Sequence, residues 1–376
     1  MGEPFKNLIH AGTVADTGRH LQRVWPAFDR ERFESLAASG LEALELKARA
    51  MHLCSALEAT LPPDFGEAAA LIEASLAPPR ADGEVDVDAE RDAGLSGWVV
   101  WSLGEYTARR GLDTPGRALA TLHALTQRFS AEFAIRPFIA AHPALVFETL
   151  HAWTRDPSAH VRRLVSEGSR PRLPWGMQLR ALIADPSPTL PLLAALQDDP
   201  SESVRRSVAN HLNDIAKDHP GLVADWLDTH LPGADARRRA LLRHASRTLV
   251  KQGDPRVLQA WGLGRALTGQ ATLTLAPRRV ALGEAFTLSL TLRSTSARPQ
   301  KLAVDYAVHH VKADGRSTPK VFKGWVIELA PRETRVLEKR HSMRVVTTRR
   351  YHPGEHAVDV RVNGRVMASA VFDLRA

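Results

Sequence analysis

The sequence predicts a two-domain protein, an all-α solenoid of HEAT-like repeats followed by an all-β immunoglobulin-like sandwich. The chain has 376 residues, which is enough for two domains of ordinary size. Up to about residue 270 the apolar residues recur at helical spacing, and beyond it they alternate with polar residues as in half-buried strands. We therefore expect a helical-repeat domain over residues 1–268 and an immunoglobulin-like domain over residues 271–376.

The helical part contains an internal repeat. The segment DPSAHVRRLV at residues 156–165 recurs as DPSESVRRSV at residues 199–208, and a weaker third copy begins near Ala236. The offset of 43 residues lies in the range of HEAT and armadillo repeats. We expect each Asp-Pro step to begin a helix whose valines pack inward. The arginine pairs, including Arg163 and Arg206, should then point away from the core and follow a row of phosphates.

The C-terminal part shows the two-residue period of β-strands. In the run FTLSLTL at residues 286–292, every second residue is apolar, and Val358, Val360 and Val362 alternate in the same way. The Asn363-Gly364 dipeptide that follows is a signal for a two-residue hairpin turn. Short strands separated by turn residues over about a hundred positions favour an immunoglobulin-like sandwich.

The net charge of +8 is unevenly distributed. Residues 1–150 carry −7, residues 151–270 carry +5 and residues 271–376 carry +10. Part of the acidity comes from ADGEVDVDAERD at residues 81–92, which has no periodicity and predicts an exposed loop between helical hairpins. The gradient indicates that the later segments contact a polyanion, although a scattered basic surface would give the same count.

Several classes of protein are excluded or disfavoured. No window is apolar enough for a membrane span, and no export signal opens the chain, so we expect a bacterial-type cytosol. We also expect a monomer. Cys54 is the only cysteine, which excludes disulfides and a cysteine-ligated zinc site. His309, His310, His352 and His356 lack the spacing and acidic partners of a metal centre. Without a Gly-rich phosphate loop either, we expect no metal and no nucleotide cofactor.

Glu167 is the first candidate for chemistry. On the helix that begins at Val161 it shares a polar stripe with Arg163, and it immediately precedes Gly168, which suits the residue after a helix end. A carboxylate in this place faces the negative end of the helix dipole, which is mildly unfavourable. The simplest structural explanation is an ion pair with Arg163, one turn earlier.

The sequence SRPRLPWG that follows Glu167 predicts a stiff, basic loop. Arg170 and Arg172 offer contacts to phosphates, and Trp175 is available to stack on a sugar or base, a contact worth about 1–3 kcal/mol. Core packing between hairpins is the alternative role for Trp175. For Trp98 and Trp101, which share a helical face, we expect core packing.

Two further acids lie on neighbouring hairpins. Glu132 follows Ser130, a predicted N-cap, so it should occupy the second position of a helix with Arg136 as its partner one turn later. Asp214 lies on the polar stripe of the next repeat, where a solvated charged face is the default explanation. In one solenoid, these two acids and Glu167 would converge on the concave face.

One long motif resembles a known family. The run VRRLVSEGSRPRLPWG at residues 161–176 is similar to the signature of the AlkC-type DNA alkylation repair glycosylases. The segments EPFKNL at residues 3–8 and WVVWSLGEY at residues 98–106 are also similar to that family, so the likeness spans most of residues 1–265. Some members carry an immunoglobulin-like domain after the helical repeats.

The resemblance implies a monofunctional glycosylase that removes 3-methyladenine and 3-methylcytosine from duplex DNA without a metal or a covalent intermediate. It implies that the family kinks DNA around the lesion and needs no deep pocket for the base. The residues that we assign are Glu167, Glu132 and Asp214 as catalytic groups, Trp175 as the contact to the lesion or its sugar, and Arg163, Arg170, Arg172 and Arg206 as DNA-backbone contacts.

Two other functions remain open from the sequence. Helical solenoids are most often binding proteins, so a non-catalytic HEAT-repeat scaffold is one alternative. A protein that recognises damaged duplex DNA without cleaving it is the other. Binding to DNA that weakens steeply with salt would argue against the scaffold, and only an assay of base release separates the remaining two.

Overall fold

The computed structural model describes residues 5–81, 93–346 and 350–375. Of the acidic loop predicted at residues 81–92, only Ala81 is among them, and the rest lies outside the described residues. The chain divides into two compact units. One comprises Met1–Asp218 with Asp235–Ala245, and the other comprises His219–Ala234 with Ser246–Ala376.

The described residues of the first unit form helices connected by short turns, with 3₁₀ helices at Phe5–Leu8, Leu41–Ala43 and Ser187–Thr189. Its α-helices are α1 (Ala11–Val24), α2 (Arg30–Ala38), α3 (Leu46–Thr60), α4 (Phe65–Ser75), α5 (Val99–Arg110), α6 (Pro115–Thr126), α7 (Arg136–Ala141), α8 (Pro143–Trp153), α9 (Ala159–Gly168), α10 (Arg180–Ala184), α11 (Leu190–Leu196), α12 (Glu202–Ile215) and α14 (Ala236–Ala245). Among the residues that the structure describes, every helix is too short or too polar to span a lipid bilayer.

The internal repeat corresponds to stacked helices. The two copies form α9 and α12, which pack on each other, and α14, where the third copy was expected, packs on α12. Val161 and Val165 on α9 are buried, as are Val204 and Val208 on α12. The predicted inward packing of these valines is therefore confirmed, and full burial of each contributes about 1.5–3 kcal/mol. The opposite faces of α9 and α12 remain for polar side chains.

The described residues of the second unit form three helices and two β-sheets, in which the strands pair antiparallel except for one parallel pair in the larger sheet. The helices are α13 (Pro220–His230), α15 (Arg247–Gln252) and α16 (Pro255–Ala260). The strands are β1 (Gly269–Ala276), β2 (Arg279–Ala281), β3 (Ala285–Ser294), β4 (Gln300–Val311), β5 (Ser317–Leu329), β6 (Thr334–Ser342), β7 (Gly354–Val362) and β8 (Arg365–Arg375). One sheet has the order β1-β3-β6 and the other β2-β8-β7-β4-β5.

The alternating residues of β3 and β7 form the core of the strand domain. Leucines of β3 and valines of β7 belong to one buried cluster, in which Phe286 packs against Phe372 at a ring distance of 4.6 Å. Asn363 and Gly364 connect β7 to β8 with positive φ angles of 49° and 77°, as a type I′ hairpin turn requires. The predicted fold class, helices followed by an immunoglobulin-like sandwich, is confirmed.

Candidate active site

The Asp-Pro turns before α9 and α12 orient these helices in the same way. Asp156 and Asp199 each accept a hydrogen bond from the backbone amide two residues later, at 2.8 Å. Arg162 then folds back to donate to the carbonyl oxygen of Asp156 at 2.8 Å, and Arg205 does the same to Asp199 at 2.5 Å. The prediction that both arginines of each pair point outward is therefore wrong for Arg162 and Arg205, because turn carbonyls need donors.

Gly168 has a different role from the one that the sequence predicted. It does not follow the helix but forms the last residue of α9, without a left-handed backbone. A Cβ atom at this position would lie 2.5 Å from Cγ2 of Ile135, so the glycine permits close packing against the turn before α7. This contact fixes the end of α9, where Glu167 lies.

We expect Gly168→Ala to destabilise the protein by about 1–3 kcal/mol, because the added methyl group has no room beside Ile135. Gly116, near the start of α6, is the matched control, since a Cβ there would meet nothing within 4 Å. Gly116→Ala should leave stability unchanged or raise it by up to about 1 kcal/mol. Urea unfolding measures both, and equal stabilities of the two variants would contradict the packing argument.

Glu167 lies in the last turn of α9 and is held on both oxygens. Arg170 donates to Oε1 at 2.5 Å and the hydroxyl of Ser207 donates to Oε2 at 2.6 Å, while Arg163 lies 4.0 Å from Oε2. The residue is only 6% exposed. Burial by itself would raise the pKa of Glu167, but the two arginines and the hydroxyl bring it below its ordinary value. Glu167 is therefore a buried, ionised carboxylate.

Arg170 joins Glu167 to Asp214. Its Nε atom donates to Asp214 Oδ2 at 2.7 Å, and Lys217 donates to the other oxygen of Asp214 at 2.7 Å. Arg170 is 7% exposed and Asp214 is 2% exposed. The expectation that Asp214 lies on a solvated face is therefore wrong. The guanidinium of Arg170, which was predicted to contact the DNA backbone, lines the cavity and neutralises these two buried carboxylates.

Glu132 lies in a turn before α7 rather than inside a helix. Its Oε2 accepts from the hydroxyl of Ser130 at 2.7 Å and from Arg163 at 3.1 Å. The predicted helical position and the predicted pairing with Arg136 are therefore wrong, because the helix begins only at Arg136 and that side chain points into the interior. Glu132, Arg163, Glu167, Arg170 and Asp214 thus form one chain of alternating charges.

Trp175 projects from the loop after α9. Its side chain is 65% exposed, so the alternative of core packing is wrong, and its φ angle of 64° lies in the left-handed region. In the same loop, Arg172 makes a two-point ion pair with Asp218 at 2.7 and 2.8 Å. The loop therefore presents an indole to solvent beside the buried acids.

A cavity of about 670 Å³ brings several of these residues together. Its lining includes Glu132, Arg163, Glu167, Arg170 and Trp175, together with Arg80, Trp98, Thr126, Arg128, Phe129, Ser130, Phe133, His160, Leu173, Pro174 and Ser203. Asp214 is not part of the lining and reaches the cavity only through Arg170. This volume is in the range of sites that bind small ligands.

The two tryptophans of the N-terminal motif have different environments. Trp101 is buried and stacks on Phe133 at a ring distance of 4.8 Å, which confirms its predicted core role. Trp98 is partly exposed, packs against Phe129 and lines the cavity, so its assignment to the core is wrong.

Arg206 lies apart from this cavity. It is exposed, pairs with Glu202 at 2.8 Å and lines another groove, between α12 and α14. Asn210, which occupies the position equivalent to Glu167 in the next repeat, forms a hydrogen bond with His244 at 2.9 Å in this region. The next repeat therefore does not duplicate the acidic site.

Three buried residues that support the site were not predicted. Ser207 donates to Glu167, His211 contacts the carbonyl oxygen of Ser166 at 2.9 Å, and Arg136 contacts the loop of Trp175. Ser207, His211 and Asp214 occur at helical spacing on α12, as a polar stripe on a buried face. That spacing is a signal that the sequence does contain.

His211 should make stability depend on pH. Burial lowers its pKa from 6.5 to about 4, so the folded state keeps the ring neutral where the unfolded chain binds a proton. Stability should therefore fall as the pH decreases from about 6.5 towards 4, by about 2 kcal/mol between pH 7 and pH 5. In His211→Asn, whose amide can still donate to Ser166, this part of the loss should disappear.

Urea unfolding at pH 7 and pH 5 tests this expectation. His151→Asn is the control, because that side chain is exposed on α8. The control should lose as much stability as the native protein between the two pH values. An identical loss in His211→Asn would show that another group titrates.

The fold and this site define a helical-repeat protein with a buried acidic centre and an immunoglobulin-like C-terminal domain. The family model of the C-terminal Ig-like domain of the uncharacterised protein YhaZ matches residues 270–376. The chain is 36% identical to the uncharacterized protein YhaZ of Bacillus subtilis (strain 168) over 375 residues, which cover 98% of this chain and 99% of that one.

A solved structure is similar over the whole length. The alkylpurine DNA glycosylase AlkC of Pseudomonas fluorescens, bound to DNA that contains an abasic site analog, superposes with a TM-score of 0.90. The two chains are 36% identical, and the match covers 100% of each. The chain described here belongs to the AlkC-type family of DNA alkylation repair glycosylases.

Proposed function

We propose that this protein hydrolyses the N-glycosidic bond of cationic alkylated bases, 3-methyladenine and 3-methylcytosine, in duplex DNA, without a metal or a covalent intermediate. The observation that carries the proposal is the cavity in which Glu132, Glu167 and the exposed Trp175 meet. The full-length similarity to an alkylpurine DNA glycosylase supports the same class of reaction.

The chemistry of the substrate suits a site made of carboxylates. A base alkylated at N3 carries a positive charge, so it is a good leaving group and needs no proton from the enzyme. As the bond breaks, positive charge develops on the sugar, and nearby carboxylates stabilise this oxocarbenium-like state as in sugar hydrolysis. Glu167 is ionised because Arg163 and Arg170 keep its pKa low, so it supplies this charge at neutral pH.

The three acids differ in what they can do. Among the described residues, both hydrogen bonds to the side chain of Glu132 fall on Oε2, so Oε1 is the oxygen that would bind and orient the attacking water. Glu167, with both oxygens occupied, would act through its charge. Asp214 would act by holding Arg170 in place, since it does not line the cavity.

Trp175 and basic side chains would bind the DNA. An indole that is 65% exposed has the surface to pack on the sugar or on a base next to the lesion. The side chains of Arg163, Arg172 and Arg206 are 31%, 31% and 68% exposed, so they are accessible to phosphates. We further propose that residues 1–268 carry the reaction, that residues 271–376, with their charge of +10, add a second DNA contact, and that the protein acts as a monomer in the cytosol.

A base-release assay tests the proposal. The full chain is incubated with duplexes that carry a single 3-methyladenine or 3-methylcytosine, and free base and abasic sites are measured, with DNA binding followed at 50 and 200 mM salt. Release at the lesion, with binding that weakens by about a thousandfold or more over this salt range, is expected if at least six phosphates are contacted. Binding without release would indicate a damage-recognition protein instead, and no DNA binding would indicate a scaffold.

A further inference from the structure

The loop that carries Trp175 is anchored by one buried arginine. Arg136 is fully buried and donates from Nε to the carbonyl oxygen of Met177 at 2.7 Å. Its Nη1 atom donates to the carbonyl oxygens of Gly168 and Arg170, both at 2.8 Å. These acceptors lie before and after Trp175 in the chain, so one side chain ties together the two ends of the loop.

The guanidinium group is suited to this task. Within the described part of the chain, Arg136 donates only to backbone carbonyl oxygens and not to a carboxylate. Burial lowers its pKa to about 10, so it still carries its proton at neutral pH. A planar fork with five donors can reach both ends of the loop at once, whereas a lysine, with a single compact donor group, cannot.

A second contact acts on Trp175 directly. Lys47, an exposed residue of α3, donates from Nζ to the carbonyl oxygen of Trp175 at 3.0 Å. Trp175 has a left-handed backbone with a φ angle of 64°, which costs a residue with a side chain about 1–2 kcal/mol. Such a conformation persists only where the surroundings determine it, and Arg136 and Lys47 provide those contacts.

We propose that Arg136 and Lys47 are positioning residues that hold the indole of Trp175 against the damaged nucleotide. Because Trp175 acts in the glycosylase site, this inference rests on the proposed function. The position of the indole matters for the rate, because a displacement of about 1 Å at a reacting group can lower the rate by about a hundredfold. Neither residue needs to touch the DNA for this effect.

A double-mutant cycle tests the inference. Arg136→Lys should lower the single-turnover rate of base release by about thirty- to a hundredfold in the native background. In the Trp175→Ala background the same change should lower the rate by less than about threefold, because the group that it positions is gone. Losses of equal size in the two backgrounds would overturn the inference, since Arg136 would then act independently of Trp175.

Lys47→Met gives a second cycle that does not depend on a buried residue. We expect a loss of about fivefold in rate that disappears in the Trp175→Ala background. Lys6→Met is the charge-matched control, because the ammonium group of Lys6 pairs with Glu45 at 3.7 Å rather than with the loop of Trp175. The control should match the native rate. An equal loss from Lys47→Met in both backgrounds would mean that Lys47 acts on the DNA rather than on Trp175.

Hydrogen exchange separates this inference from the proposed function. The amides of Gly176 and Leu179 bond to the carbonyl oxygens of Leu173 and Pro171 within the same loop. In Arg136→Lys these two amides should exchange at least about tenfold faster, as expected for local opening. If the native protein released no base, the proposed function would be refuted. If the exchange rates of the two amides were unchanged in Arg136→Lys, the role of Arg136 would be refuted.

Discussion

Glu167→Gln should slow the release of alkylated bases by at least about a hundredfold, the usual cost of removing one group that stabilises transition-state charge. The substitution removes the negative charge but little else. The amide oxygen can still accept from Arg170, and the hydroxyl of Ser207 can accept from the amide nitrogen instead of donating. Arg170 keeps Asp214 as a partner, so the variant should lose less stability than one that removes Arg170, and it should still fold and bind DNA. Single-turnover kinetics with a 3-methyladenine duplex measures the loss of rate.

Glu148→Gln is the control for this experiment. Glu148 is an exposed acid on α8, so its neutralisation changes the net charge by the same amount without touching the site. Its rate should equal that of the native protein. If Glu167→Gln released the base as fast as Glu148→Gln, Glu167 would not be a catalytic group.

Arg170→Met should have the largest effect on stability, a loss of about 3 kcal/mol or more. The change leaves Glu167 and Asp214 buried with one fewer positive partner, and the cost of an uncompensated buried charge is high. Arg170 also lowers the pKa of Glu167, so its removal should raise that pKa. The acid limb of the pH–rate profile should then move to higher pH.

Arg172→Met, two residues further along the same loop, is the matched control. Arg172 has an ion pair of similar geometry with Asp218, but these side chains are 31% and 25% exposed, against 8% and 2% for Arg170 and Asp214. Exposed pairs contribute about 0–1 kcal/mol, so this variant should be nearly as stable as the native protein and should bind DNA more weakly. Equal stability of the two variants in urea unfolding would contradict the burial of the charge network.

The sequence was sufficient to predict the helices and strands because their signals are local. In each of the two repeats, the Asp-Pro turn and the valines of the helix that follows it, α9 or α12, lie within ten residues. The alternation of apolar and polar residues in β3 and β7 can be seen directly in the sequence. The left-handed Asn363-Gly364 turn also depends only on its own two residues. Periodicity and turn chemistry decide such features before any tertiary contact forms.

Three of the residues that were singled out in the sequence lie together, but their contacts were not predicted. Glu132, Glu167 and Trp175 do line one cavity. However, the partners of these acids are distant in sequence, since Arg163 reaches Glu132 across 31 residues and Arg170 reaches Asp214 across 44. The sequence of a basic loop is the same whether its arginines face solvent, where they can contact phosphates, or pair with buried acids. Only the packing of α9 against α12 distinguishes the two for Arg170.

Arg136 shows why some of the site could not be predicted. Its acceptors are backbone carbonyl oxygens 32 to 41 residues away. Every residue has a backbone carbonyl group, so the sequence does not show which of them accept a hydrogen bond. The only local expectation for this arginine was a pair with Glu132, one turn earlier. That pairing failed because the chain before Arg136 forms a turn rather than a helix.

The affinity for charged abasic analogues tests most directly whether this site stabilises positive charge on the sugar. The comparison uses two duplexes that differ only at the lesion, one with a neutral tetrahydrofuran and one with a cationic pyrrolidine in place of the sugar. The native protein should bind the cationic duplex at least about a hundredfold more tightly, as expected for a transition-state analogue, and Glu167→Gln should lose most of that preference. Equal affinities of the native protein for the two duplexes would contradict the role assigned to the buried carboxylates.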